Sequence, residues 1–191
     1  ETLFEIPFVA PYQLMNAALA IRALEVSGLP VTPVQAAEGV KKAKWPARME
    51  EISSGVYLDG AHNADGIRAF LDAACRLKEL RKPDHVRILF AVSADKDHQR
   101  MLSEIAERLK PDLWILSKME SHRTLSVEDL EAAAEKLRAE YGEETEYRVS
   151  RDVKHAVKEL LGLHGERDLS LIAGSLYLAG EVKEQISQST S

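Results

Sequence analysis

The chain has 191 residues, of which 45% are hydrophobic and 29% are charged; these fractions are typical of globular proteins and exclude fibrous and disordered classes. Its 25 Lys and Arg residues against 31 Asp and Glu residues give a formal charge of −6 without a basic stripe, which disfavours a nucleic-acid partner. The length suffices for one domain together with a piece of another.

The first part of the chain is predicted to be helical. Gln13–Ser27 is rich in Ala and Leu, and a second helix begins at Thr32 or the proline after it and runs to Val40. Two helices without a strand cannot complete a domain. We therefore assign residues 1–44 to the helical end of one domain and its linker, and residues 45–191 to a second domain.

From Tyr57 onward, short apolar runs alternate with helical patterns. This alternation predicts an α/β fold, a Rossmann-like wound and mostly parallel sheet of about six strands with helices on both faces. The Gly-containing turn at 53–55 predicts that Met49–Ile52 forms an antiparallel hairpin with the first parallel strand, and the last helix is predicted to begin near Leu176. The five other strands are predicted at Val56–Asp59, Val86–Ser93, Leu113–Ser117, Glu146–Ser150 and Leu169–Ala173.

Signals for targeting and redox chemistry are few. The single Cys75 supports neither a disulfide framework nor a cysteine zinc site. No apolar stretch approaches the roughly 18 residues that span a bilayer, and the first ten residues do not resemble a signal peptide. We expect a cytoplasmic protein with no membrane partner, and because the chain begins without Met we interpret it as a fragment of a longer protein.

The polar loop after the first parallel strand is a candidate ligand site, because parallel sheets bind ligands at the carboxyl ends of their strands. Asp59 stands at that strand end, where its carboxylate could accept hydrogen bonds from sugar hydroxyls. The alternative is that Asp59 only terminates the strand while Asn63 or Asp65 caps the next helix.

Two further strands are followed by polar loops. Lys96 could bind a carboxylate, or it could lie in a solvated turn in which Asp97 caps the next helix. Gly174-Ser175 stands at a strand-to-helix junction suited to an anion, although such junctions also serve close packing.

Several motifs are absent from the sequence. It contains no G-x-x-x-x-G-K-[ST] phosphate loop and no G-x-G-x-x-G, so unaided ATP hydrolysis and ordinary dinucleotide binding have no support. The histidines do not form a helical metal pair, and we predict no metal site in this chain. Surface or capping roles are predicted for His85, His98, His122, His155 and His164.

Five segments form an ordered series: Tyr12-Gln13-Leu14-Met15-Asn16-Ala17-Ala18-Leu19-Ala20, Trp45-Pro46-Ala47-Arg48-Met49-Glu50, Leu58-Asp59-Gly60-Ala61-His62-Asn63, Asp95-Lys96-Asp97 and Gly174-Ser175. In order and spacing they resemble the folylpolyglutamate synthase and dihydrofolate synthase family of the Mur ligase superfamily. The resemblance covers nearly the whole chain and is sharpest in the Asp-Gly-Ala-His-Asn segment.

The resemblance implies the C-terminal part of an ATP-dependent ligase that adds L-glutamate to dihydropteroate, a folylpolyglutamate or both. In such enzymes ATP phosphorylates the substrate carboxylate, and the amino group of glutamate attacks the acyl phosphate. The implied partners are ATP, Mg²⁺, L-glutamate and a folate or dihydropteroate. Residues 1–44 would end a central ATP-binding domain that carries the phosphate loop and magnesium ligands upstream, so we expect this chain alone to be inactive and the enzyme to be a monomer.

By the same resemblance, Asn16 would contact the nucleotide, Arg48 would reach a phosphate and Asp59 would hold the ribose. A guanidinium suits a phosphate because its fork can bond two oxygens at once. The family often has Gly where this chain has Ala47 and Pro where it has Ala64, and both departures concern the backbone of loops.

His62 and Ser175 would lie near the glutamate and the reacting centre, and Lys96 is a candidate for binding a glutamate carboxylate. For His62 the alternative is a hydrogen bond that only stabilises its loop. The loops after the first and last parallel strands are expected to converge at the carboxyl edge.

Two other functions stay open at this point. A peptidoglycan-precursor ligase would share the fold and the ATP chemistry but would add another amino acid to a nucleotide-linked substrate. A non-catalytic Rossmann-like module would bind a nucleotide or a partner protein.

Overall fold

The computed structural model of the chain describes residues 3–7, 9–121, 123–142 and 144–189. Its strands are β1 (Glu50–Ser53), β2 (Val56–Leu58), β3 (Val86–Phe90), β4 (Leu113–Ser117), β5 (Glu146–Ser150) and β6 (Leu169–Ala173). Its helices are α1 (Tyr12–Val26), α2 (Pro33–Lys41), α3 (Ala64–Arg81), α4 (His98–Leu109), α5 (Val127–Tyr141), α6 (Val153–Leu163) and α7 (Leu176–Ser189).

The six strands form one sheet in the order β1-β2-β6-β3-β4-β5. β1 is antiparallel to β2, which confirms the predicted hairpin, and the other five strands are parallel. β3 ends three residues earlier than predicted. Ala91 and Val92 are buried like strand residues, but the chain leaves the ladder there and turns toward the next loop.

Helices cover both faces of the sheet, as predicted for a wound α/β fold. Helices α3, α4 and α5 pack on one face against Ile88 and Phe90, whereas α6 and α7 pack on the other face against Leu89. Alternate residues of β3 thus enter opposite cores. Because α6 returns the chain across the second face, β6 lies between β2 and β3, and the loops after these three strands meet at one place.

Side-chain caps determine where most helices begin. Thr32 and Ser126 form capping boxes on α2 and α5, and Asn63, Asp97 and Asp152 accept backbone N–H groups at the starts of α3, α4 and α6. Among the described residues, no helix is both long and apolar enough to cross a membrane.

Helices α1 and α2 precede the sheet and leave several large apolar side chains in solvent. The exposed fractions are above one half for Leu14, Met15, Leu19 and Val34. The segment before α1 does contact the sheet domain, because Ala10 is buried in the core beneath α3. The division of the chain after residue 44 stays a prediction.

Candidate active site

Asp59 follows β2 and is almost fully buried, with 2% of its surface exposed. Its Oδ2 accepts the Met49 N–H and its Oδ1 accepts the Ala61 N–H, each at 2.8 Å. Burial raises the pKa of this carboxyl, while the two N–H groups and the Arg48 charge act in the opposite direction. Asp59 therefore fixes the backbone on both sides of the strand end, and its predicted contact with a ribose stays a prediction.

His62 lies two residues beyond the glycine that follows Asp59. Its Nδ1 is 2.8 Å from the Gly60 carbonyl oxygen. Because a carbonyl can only accept, Nδ1 carries the hydrogen, and Nε2 of the neutral ring then holds a lone pair. The loop-stabilising bond considered for His62 is therefore present, and it also sets the tautomer that a proton acceptor requires.

The loops after β2 and β6 are joined by a backbone hydrogen bond from the Gly174 N–H to the Ala61 oxygen, 3.0 Å long. Ser175 is 3% exposed, and its Oγ accepts the Tyr177 N–H at 3.1 Å in the first turn of α7. The hydroxyl hydrogen remains available to an anion at this helix N-terminus. The two loops converge as the sequence predicts.

A cleft of about 220 Å³ opens between these loops and the loop after β3. It brings together three predicted site residues, His62, Lys96 and Ser175. The Lys96 Nζ pairs with Asp95 at 2.9 Å, and Asp97 caps α4 by accepting the Arg100 N–H at 3.2 Å, as the alternative interpretation expected. The cleft residues are His62, Ser93, Asp95, Lys96, Arg123, Gly174, Ser175, Leu176 and Tyr177.

Arg123 is a cleft residue that the sequence analysis did not single out. Its loop follows β4 and is held against the loop after β3, because the Ala94 N–H donates to the Arg123 oxygen at 2.7 Å and Ser93 pairs with Thr124. Arg123 and Lys96 thus place two cationic side chains at one cleft. The sequence does contain a signal for Arg123, because its loop follows the predicted strand Leu113–Ser117, which also ends at the carboxyl edge of the sheet.

A second cavity, of about 560 Å³, lies between α1, α2 and the segment before β1. Its lining includes Asn16 and Arg48, both predicted to contact the nucleotide. The Asn16 Nδ2 donates to the Gln13 Oε1 at 2.8 Å, which orients the Asn16 amide. Burial and the Asp59 charge raise the pKa of the Tyr12 hydroxyl, and the nearby Arg48 guanidinium acts against them. Asp59 thus lies near Arg48, one of the two nucleotide candidates.

Among the described residues, no group of three or more His, Cys, Asp or Glu side chains could hold a metal ion. His85 is exposed, His155 bonds to the helix cap Asp152, and His98 approaches the Lys96 oxygen. His164 is the C-cap of α6 and bonds to the Ser170 hydroxyl and to a loop carbonyl. His122, for which a surface or capping role is also predicted, lies outside the described residues.

The sheet and the cleft match a known protein family. The family model for the Mur ligase glutamate ligase domain matches residues 47–176. The chain belongs to this family. The match begins in the turn before β1 and ends at the first residue of α7, so the Mur ligase match includes both sides of the cleft.

Curated relatives of this Mur ligase chain are folate enzymes. It is 36% identical over 107 residues to folylpolyglutamate synthase of Lacticaseibacillus casei, covering 53% of this chain and 24% of the relative. It is 26% identical over 184 residues to dihydrofolate synthase/folylpolyglutamate synthase of Bacillus subtilis, covering 93% of this chain and 40% of the relative. The chain therefore spans less than half the length of these relatives.

Solved structures give the same result for the Mur ligase fold. E. coli FolC in complex with ADP superposes with a TM-score of 0.76 at 26% identity, covering 98% of this chain and 41% of that chain. A bifunctional folylpolyglutamate synthase/dihydrofolate synthase with Mn, AMPPNP and L-glutamate bound also gives 0.76 at 26% identity, covering 98% and 42%.

Proposed function

We propose that this chain is the C-terminal part of an ATP-dependent ligase that joins L-glutamate to dihydropteroate, a folylpolyglutamate or both through an acyl phosphate. The observation that carries the proposal is the convergence of His62, Lys96 and Ser175 on one cleft of a glutamate ligase domain. The whole enzyme is proposed to be a cytoplasmic monomer.

The cleft is proposed to bind glutamate. Lys96 and Arg123 provide two cationic groups for a substrate with two carboxylates, and the Ser175 hydroxyl can donate to one of them at the start of α7. Glutamate must lose an ammonium proton before its nitrogen attacks the acyl phosphate. The Nε2 lone pair of His62 is the proposed acceptor of that proton, and the attack forms the amide and expels phosphate.

The second cavity, between α1, α2 and the segment before β1, is proposed to bind the nucleotide. Arg48 would bond two phosphate oxygens with its fork, Asn16 would use its oriented amide, and Asp59 would hold the ribose with the acceptor sites left on its carboxylate. Among the described residues, no group of His, Cys, Asp or Glu side chains fits a magnesium site. Mg²⁺ ligands and the phosphate loop are proposed to lie in the part of the enzyme upstream of this chain.

The test is an activity assay on the full-length protein, with dihydropteroate and tetrahydrofolate compared as glutamate acceptors. We expect product with at least one acceptor, dependent on both ATP and L-glutamate. Ligation of another amino acid to a nucleotide-linked acceptor would favour a peptidoglycan-precursor ligase instead. Nucleotide binding without ligation of any acceptor would favour the non-catalytic module.

A further inference from the structure

Arg48 stands in an unusual turn, residues 46–49, called here the Arg48 turn. The residues on both sides of it have positive φ, 54° at Ala47 and 48° at Met49, although neither is glycine. Side chains with a Cβ are strained in this region and stay there only when neighbouring groups fix the backbone. Some contact must therefore hold the Arg48 turn in place.

Three hydrogen bonds hold the backbone of the Arg48 turn. The Met49 N–H donates to Asp59 at 2.8 Å, and the Gly60 N–H donates to the Ala47 oxygen at 2.8 Å. The third bond, 2.7 Å long, runs from the Ala47 N–H to Oε2 of Glu50, the first residue of β1. Two bonds thus come from the loop after β2, and the third depends on the position of one carboxylate.

Lys183 of α7 fixes that carboxylate. Its Nζ lies 2.8 and 2.9 Å from the two oxygens of Glu50, whose side chain is 31% exposed. Burial acts to raise the pKa of Glu50, but the Lys183 ammonium and the Ala47 N–H outweigh it and hold that pKa below its usual value. Glu50 is therefore ionised at neutral pH, and its carboxylate accepts hydrogen bonds from the Ala47 N–H and the Lys183 ammonium at the same time.

We infer that Glu50 and Lys183 are positioning residues for Arg48. Lys183 holds the Glu50 carboxylate against the Ala47 N–H, and this contact aims the Arg48 guanidinium into the cavity that Asn16 lines. The inference rests on the proposed role of Arg48 at the nucleotide. It gives α7 two roles, since this helix begins immediately after Ser175 of the cleft and carries Lys183 about two turns further on.

An ordinary ion pair on the surface would behave differently. Such pairs contribute little to stability and influence no substrate. Here the carboxylate also accepts a backbone N–H in a strained turn, so its loss changes the direction of Arg48. A defect in ATP use with glutamate use intact would distinguish the two cases.

The experiment measures initial rates of the full-length enzyme as functions of ATP and of glutamate. Lys183→Met keeps the aliphatic stem and removes the charge, Lys183→Arg keeps the charge, and Lys136→Met removes an exposed cation of α5 that pairs with Glu140. We expect Lys183→Met to raise the KM for ATP about tenfold, the effect of one lost charge-assisted bond, and to leave the KM for glutamate within about twofold. Lys183→Arg should restore most of the ATP KM, and the control should match the wild type.

A double variant tests whether Lys183 acts through Arg48. In an Arg48→Ala background, Lys183→Met should cause no further rise in the KM for ATP, because the group that it positions is gone. A further tenfold rise would overturn the inference. Glu50→Gln, which keeps an oxygen for the Ala47 N–H, provides the same test with a smaller rise if Lys183→Met does not fold.

The outcomes separate this inference from the proposed function. A wild-type enzyme without ATP-dependent glutamate ligation would overturn the proposed function. A wild type that is active, together with a Lys183→Met variant that has lower thermal stability but an unchanged KM for ATP, would make the pair merely structural and overturn the inference alone.

Discussion

The His62 ring makes one contact that stabilises its loop and that, in the proposed mechanism, also sets the tautomer of the base. Its ring bonds the carbonyl of the residue two positions earlier, and the His98 ring has the same relation to the Lys96 carbonyl at 3.3 Å. Only His62 lines the cleft with Ser175. The two histidines therefore share a local structural contact and differ in their position relative to the cleft.

Replacing each histidine by Ala separates these roles. In the full-length enzyme we expect His62→Ala to bind ATP normally but to lower kcat about 100-fold or more, because a general base typically contributes 10²–10⁴-fold. The matched control His98→Ala should keep kcat within about twofold. ATP binding by calorimetry and product formation check both; equal activity of the two variants would leave His62 with the loop-stabilising role only.

Sequence reasoning located most of the candidate site, since strand ends and polar loops are visible as patterns. His62, Lys96 and Ser175 lie together because their strands are neighbours at the carboxyl edge. Arg123 was not predicted because its loop follows a strand two places from β6, and the backbone contacts of Ala94 with Arg123 and of Ser93 with Thr124 bring that loop to the cleft. These contacts join residues distant in sequence and leave no periodic signal.

The junction between β6 and α7 depends on Gly174, which has φ +124°. A Cβ there would lie 2.4 Å from the Ala91 carbonyl oxygen, a backbone atom that cannot easily move. We expect Gly174→Ala to lower the free energy of unfolding by more than about 2 kcal/mol, from backbone strain and overpacking together. Urea denaturation of the chain measures this change.

The control is Gly180→Ala within the same helix. A Cβ at Gly180 would meet no atom within 4 Å, so the substitution should raise the free energy of unfolding by about 0.5–1 kcal/mol. Equal stability of the Gly174→Ala and Gly180→Ala variants would show that the junction between β6 and α7 does not require a glycine.

At the amino-terminal ends of the strands, away from the cleft, Asp168 beside β6 pairs with Arg87 of β3, and both side chains are largely buried. Burial acts to raise the pKa of Asp168, but the Gly165 N–H and the Arg87 guanidinium hold it below its usual value of 3.8. A folded-state pKa below the unfolded one gives stability that is complete above the unfolded pKa and is lost as pH falls through the folded pKa.

Asp168→Asn should therefore lower the free energy of unfolding by about 2 kcal/mol at pH 7, the value of a charge-assisted bond. The difference from the wild type should shrink below about pH 4, where the wild-type carboxyl also becomes protonated. The exposed neighbouring pair supplies the control: Asp84→Asn, which frees Arg167, should cost at most about 1 kcal/mol. Urea titrations at pH 7 and pH 3 measure both, and a pH-independent difference for Asp168→Asn would contradict the assignment.

The elements themselves were largely predictable because apolar periodicity determines which face each residue buries. β4, β5 and β6 begin and end where the sequence predicts, and the hairpin and the start of α7 agree as well. The strand order was not predictable. It depends on α6 crossing the sheet to insert β6 between β2 and β3, and no local pattern encodes that choice.

The proposed domain division predicts that the sheet part folds without the first helices. All six described strands lie within residues 50–173, so a chain of residues 45–191 should keep a cooperative unfolding transition. Its midpoint should fall, because removal of Ala10 and Tyr12 uncovers part of the core beneath α3. Circular dichroism during urea unfolding measures this, and loss of a cooperative transition would place the boundary elsewhere.

The central claim is that the cleft binds glutamate, whereas the second cavity, between α1, α2 and the segment before β1, binds the nucleotide. Ser175 tests it most directly, and Ser126→Ala is a matched control because both hydroxyls accept an N–H in the first turn of a helix. The measurement is the saturation of the full-length Ser175→Ala enzyme with each substrate. We predict a KM for glutamate about tenfold above that of the wild type and of Ser126→Ala, with the KM for ATP within about twofold. A normal KM for glutamate, or a defect confined to ATP, would contradict the account.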